Sequence, residues 1–126
     1  MTERHKLLVV DDDEAMIDYL HAKLGDRYDI VSTNAPEHVL GLARSERPSL
    51  ILCDINMPGM DGGDVSKALH AHPEVRSVPV LFLTALISPS DLKHTGHLIG
   101  GRPAISKQAP LAELAKRIEE LIAKKG

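Results

Sequence analysis

Leu50-Ile51-Leu52-Cys53 is an apolar run without a polar interruption, and it ends abruptly on Asp54, ahead of Pro58-Gly59 and Asp61-Gly62. A run this short, apolar on both of its alternating faces, suits a strand buried on both sides, the situation in a parallel sheet covered by helices. The proline and glycine pairs are turn signals, so Asp54 is expected at the carboxyl end of a central strand. In open α/β sheets that edge carries the ligand crevice. A single aspartate there more often serves as a turn or capping residue, so the rest of the chain has to decide its role.

Short apolar runs and helical patterns alternate throughout. Leu7-Leu8-Val9-Val10 reads as the first strand, followed by Asp11-Asp12-Asp13-Glu14 and a helix whose Ile17, Leu20 and Leu24 share a face before Gly25 stops it. Residues 28–32 form a weaker second strand. Pro36 opens a helix with Val39, Leu40 and Ala43 inward and Pro48 beyond its end. After Gly62-Gly63 a short helix places Val65, Ala68 and Leu69 on one side until Pro73 forbids continuation. Residues 78–84 form the fourth strand, with Pro79 near its start, where a missing N–H is tolerated.

Ser88-Pro89-Ser90-Asp91 resembles a capping box, from which a soft helix is expected to run through Gly96 to Gly100-Gly101. Residues 103–106 are left as a short fifth strand. Pro110 then opens a final helix with a stripe of Leu111, Leu114, Ile118, Leu121 and Ile122.

Five strands alternating with five helices predict an α/β fold: a doubly wound five-stranded parallel sheet of order 2-1-3-4-5 with helices on both faces. The 126 residues fit one domain, residues 1–126. A formal charge of -3 argues against a nucleic-acid footprint or a membrane-surface binder. No apolar stretch approaches membrane length, and the first residues lack a signal-peptide core. With a single cysteine, Cys53, inside an apolar run, a reducing, cytoplasmic setting is expected.

In this winding the first and third strands are neighbours at the switch point, which brings Asp11 and Asp12 beside Asp54. Thr84 and Lys107 close the fourth and fifth strands on the same edge. Each has an ordinary explanation as a cap, a first-turn acid or a loop charge; their joint placement on successive strand ends does not. Packed carboxylates repel unless something neutralises them, and Mg²⁺ with its preference for oxygen is the natural remedy. Asp12 and Asp54, with a backbone carbonyl near Asn56, are the expected ligands, and Asp11 acts through water. Lys107, the Thr84 hydroxyl and the backbone N–H of Ala85 are then placed to hold phosphoryl oxygens. The chemistry suggested is phosphoryl transfer to Asp54.

Leu8-Val9-Val10-Asp11-Asp12, Asp54-Ile55-Asn56-Met57-Pro58-Gly59-Met60-Asp61-Gly62, Leu83-Thr84-Ala85 and Ser106-Lys107 together resemble the receiver domains of two-component response regulators, over essentially the whole chain. The resemblance implies transfer of a phosphoryl group to Asp54 from a sensor histidine kinase or phosphotransfer protein, Mg²⁺ dependence, and readout by a downstream protein target or a fused output domain. It also implies a flavodoxin-like fold; on charge and composition, no nucleic acid or membrane partner is expected for this domain. Such domains assist their own phosphorylation and are not enzymes acting on outside substrates. Two positions depart from the family pattern: Gln108 follows Lys107 where proline is usual, and Ala104 stands where an aromatic is common.

The nearest alternative is a receiver-like interaction scaffold whose output ignores phosphorylation. An aspartate-nucleophile phosphohydrolase is disfavoured by Asn56, where a general acid is wanted. A flavin-binding protein is disfavoured by the scarcity of aromatics, Tyr19, Tyr28 and Phe82. His94 and His97 stand three apart but have no further ligand beyond Asp91, and read as surface histidines.

Overall fold

The computed structural model describes residues 4–55, 57, 62–99 and 102–125. The chain runs β1 (Lys6–Val10), α1 (Glu14–Leu24), β2 (Asp29–Thr33), a 3₁₀ turn (Pro36–His38), α2 (Val39–Glu46), β3 (Leu50–Asp54), α3 (Gly62–His70), β4 (Val80–Thr84), α4 (Pro89–His94), β5 (Leu98–Ile99), β6 (Arg102–Ser106) and α5 (Leu111–Lys125). The sheet order is β2-β1-β3-β4-β6-β5. All pairs are parallel except the last, so the five expected strands take the 2-1-3-4-5 winding and β5 is a short addition at the edge.

Strand alternation divides the core into two layers. Leu7, Val9, Leu50, Leu52, Leu81 and Leu83 pack with Ile17, Leu20, Leu114 and Ile118, which sets α1 and α5 on one face. Leu8, Val10, Ile51, Cys53, Phe82 and Ala104 pack with Val39, Val65, Leu69 and Leu92, which sets α2, α3 and α4 on the other. Each fully buried leucine contributes roughly 1.5–3 kcal/mol of transfer free energy, which is why the apolar runs settle in the middle of the sheet. Among the described residues no helix is long and apolar enough to cross a membrane.

Local signals account for most helix ends. The Asp13 carboxylate caps α1 by accepting the Ala15 N–H at 3.0 Å, and the Ser88 hydroxyl caps α4 by accepting the Asp91 N–H at 3.2 Å. Helix α2 ends on Arg47 in the left-handed region (φ 48°), with Pro48 blocking continuation. The helix expected to reach Gly100-Gly101 stops at His94 instead, and those two glycines lie outside the described residues. Gly96 and His97 both have positive φ, 69° and 63°, and two such residues in a row cannot extend a right-handed helix. The chain turns there, and Leu98 and Ile99 pair antiparallel with Pro103 and Arg102.

Candidate functional site

Asp11 follows β1 directly. Its N–H donates to the Thr33 carbonyl at 3.2 Å, extending the β1–β2 ladder, and its Oδ1 accepts the Asp13 N–H at 2.9 Å. These bonds fix a fully buried carboxylate at the sheet edge. Asp12, next in the chain, is exposed. Asp54 ends β3 and is nearly buried. The parallel β1–β3 register, Val10 opposite Cys53, carries the two strand ends to the same level. Asp11, Asp12 and Asp54 can each offer a carboxylate oxygen within 4.8 Å of the others.

Lys107 is delivered from the other side. Its main-chain N–H donates to the Thr84 carbonyl at 2.7 Å, one step beyond the Thr84–Ser106 pair, so β4 and β6 hold the loop start in register. Its ammonium lies 2.8 Å from Asp11 Oδ2 and 3.5 Å from Asp54 Oδ2. Burial works against this charge, but the hydrogen bond to Asp11 and the charges of both aspartates outweigh it and hold Lys107 above its ordinary value.

Gln108 in place of proline does not misdirect the lysine. The Gln108 N–H, which a proline would lack, donates to the Ser106 hydroxyl at 3.1 Å, and the Ala109 N–H donates to the Ser106 carbonyl at 3.0 Å. Among the described residues there is no cis peptide bond, so Lys107–Gln108 is trans. Ser106, buried at the end of β6, is thus the residue that shapes the lysine loop. The only sequence signal for it was a hydroxyl where an apolar strand stops.

The Thr84 side chain is buried, and its oxygen accepts the Leu86 N–H at 3.1 Å, leaving the hydroxyl proton without an acceptor among the described residues. Ala85 follows and is exposed. Asn56 lies outside the described residues. Asp11, Asp12, Asp54 and Lys107 are therefore brought together, and Thr84 is tied to Lys107 through the backbone. An all-carboxylate set of this spacing fits a hard divalent cation such as Mg²⁺. Asp11 has one oxygen on Lys107 and the other on the Asp13 N–H.

The position expected to carry an aromatic has a neighbour that supplies one. Ala104 is fully buried and stands opposite Phe82 in the β4–β6 register, and both belong to the layer beneath α4. Phe82 is the aromatic next to Ala104 across the β4–β6 register, in the same core layer.

Comparison with known proteins agrees with this arrangement. The family model described as response regulator receiver domain matches residues 7–119. The response regulator PleD of Caulobacter vibrioides is 43% identical over 88 residues, 68% of this chain and 19% of that protein. The probable transcriptional regulator ycf27 of Porphyridium aerugineum is 32% identical over 121 residues, 95% of this chain and 49% of its own length. The chain thus spans about half or less of these curated relatives. Among solved structures, the chemotaxis response regulator CheY4 of Vibrio cholerae superposes with a TM-score of 0.77 at 27% identity, covering 94% of this chain and 99% of that one. The receiver domain of a signal transduction histidine kinase from Syntrophus aciditrophicus gives 0.77 at 26% identity, covering 95% and 91%. With a family match over nearly its full length and an acidic edge joined to a lysine, the chain belongs to the response regulator receiver domain family.

Proposed function

We propose that this chain is a phosphorylatable receiver of a two-component system, a single domain in which Asp54 is the acceptor and a histidine kinase or phosphotransfer protein the donor. The observation that carries the reading is the Lys107 ammonium held between Asp11 and Asp54 at 2.8 and 3.5 Å, with Asp12 completing an oxygen cluster. An Asp54 carboxylate oxygen attacks phosphorus while the bond from phosphorus to the donor's nitrogen or oxygen breaks, and the donor leaves with that electron pair. Mg²⁺ would be held by Asp12 and Asp54, with the carbonyl expected near Asn56, and would supply charge neutralisation on one side of the transferring group. On the other side Lys107 is within reach of Asp54, and the Thr84 hydroxyl proton and the Ala85 N–H are the remaining donors for phosphoryl oxygens.

Incubation with acetyl phosphate and Mg²⁺, followed by intact mass, tests this: one added phosphoryl group is expected, lost in Asp54→Asn. A variant still modified to the same extent overturns the acceptor assignment. Since related proteins of known sequence are longer than this chain, the signal is passed either to a separate protein or to a fused output domain. Ala104 favours a second reading, a scaffold with phosphorylation-independent output, because a buried methyl group offers no ring to swing. Amide exchange separates the two: protection changes on phosphorylation across residues 85–99 support signalling, and no change anywhere supports the scaffold.

A further inference from the structure

On the α3–α4 face, away from the acidic edge, the first halves of β4 and β6 are incompletely covered. Helix α4 has only six residues and the chain turns away after it, so a cavity of about 290 Å³ remains between α3, β4 and β6. Its apolar side comes from Val78, Val80 and Pro103, with the almost fully buried Phe82 behind them, and Arg76 and Arg102 stand in its wall with Ser66, His70 and Ser77. No carboxylate among the described residues lines it. Arg102 donates its Nε–H to the Ser66 hydroxyl at 3.3 Å and has no ion pair among the described residues; the same holds for Arg76.

Two guanidinium groups beside an apolar floor, in a chain whose overall charge is negative, are an arrangement with one missing component. Small-molecule sites are mostly apolar with a few polar groups that fix orientation, and this volume is close to their lower bound. Guanidinium groups recognise carboxylates through paired N–H donors. Among the described residues the lining holds no opposing charge, and its apolar half has nothing to offer a bare hydrated ion.

We propose that this cavity binds a small organic monocarboxylate carrying an aliphatic chain, its head group on Arg76 and Arg102 and its chain over Val78 and Val80. The site is independent of the phosphoacceptor.

The test is a titration of isotope-labelled protein with octanoate, kept below its micelle-forming concentration, read by amide chemical shifts. Octanol serves as the uncharged analogue and inorganic phosphate as the bare anion. Saturable shifts at Val80, Phe82 and Arg102 are expected with octanoate, binding about tenfold tighter than octanol for one charge-assisted head-group contact. Phosphate should leave those amides unmoved. The Arg76→Gln, Arg102→Gln double variant should bind octanoate no better than octanol, and Arg76→Gln alone, at an exposed position, should fall between. No saturable shift at these residues, equal binding of octanol, unchanged octanoate binding in the variants, or tighter binding of phosphate than octanoate overturns the proposal.

Discussion

Lys107 Nζ and Asp11 Oδ2 are 2.8 Å apart, against 3.5 Å to Asp54 Oδ2, and Asp11 is completely buried, so the lysine sits closest to the deepest carboxylate of the site. Lys107→Met therefore strips a buried charge of its partner, a change costing about 3 kcal/mol when nothing replaces it. A divalent cation can replace it. The variant is expected to melt well below the parent without Mg²⁺ and to gain more from added Mg²⁺ than the parent does, while accepting phosphoryl groups more slowly. Thermal melts across an Mg²⁺ series check this, and equal Mg²⁺ gains in both proteins would count against competition between lysine and metal.

The same pair has a pH signature. Lys107 is raised above 10.5 in the folded chain, so its native state holds the proton more tightly than the unfolded state does. Its contribution is fully present below 10.5 and is lost as pH rises through the higher folded value. Denaturant melts above pH 10.5 should show a shallower alkaline loss in Lys107→Met than in the parent.

Tyr28 adds a second alkaline term. Burial, then its hydrogen bond to Glu119, raise the phenol from 10.0 to about 12. The raised value again stabilises the protonated native form, with the contribution present below 10.0 and lost through about 12. In a Tyr19→Phe background, the phenolate absorbance should titrate with a midpoint near 12, and near 10.0 once the chain is unfolded.

Phe82 and Ala104 are register neighbours in one core layer. Ala104→Phe should overpack the layer under α4 and cost about 1–3 kcal/mol, and Phe82→Ala should cost about 3–5 kcal/mol by leaving a cavity. The double variant moves the ring from β4 to β6. Its loss is expected to fall short of the sum by at least about 1 kcal/mol, read from chemical denaturation. Strict additivity would show that the two positions do not share space.

Asp12 is exposed and contributes to no described ion pair, so Asp12→Ala should leave stability unchanged while weakening Mg²⁺ binding about tenfold, or 1.4 kcal/mol. Calorimetric titration of Mg²⁺ into both proteins decides whether the ligand set is right.

The sheet and its acidic edge were readable in the sequence because each strand is an apolar run that stops at a polar residue: Val10 before Asp11, Cys53 before Asp54, Leu83 before Thr84. Runs of that kind specify strands, and the winding rule then brings their ends together. The end of α4 was not readable. Gly96 is tolerable inside a helix by composition, and only the pairing of Leu98 and Ile99 with Arg102 and Pro103, a non-local event, selects its left-handed conformation. The place of Phe82 next to Ala104 was likewise not readable, since which residues stand opposite each other across two strands depends on register.

The two-residue β5 also changes what the sheet shows to other molecules. Without it β6 would be the outermost strand, with a row of unpaired N–H and C=O groups open to a strand from another chain. Leu98 and Ile99 occupy the start of that row, and the Ala104 N–H is spent on the His97 carbonyl at 2.9 Å. Pro103 contributes no donor at all. What remains is a border two residues long, too short to template a cross-strand ladder, so aggregation by edge-to-edge strand addition is blocked on this side even where the helix that flanks it is short.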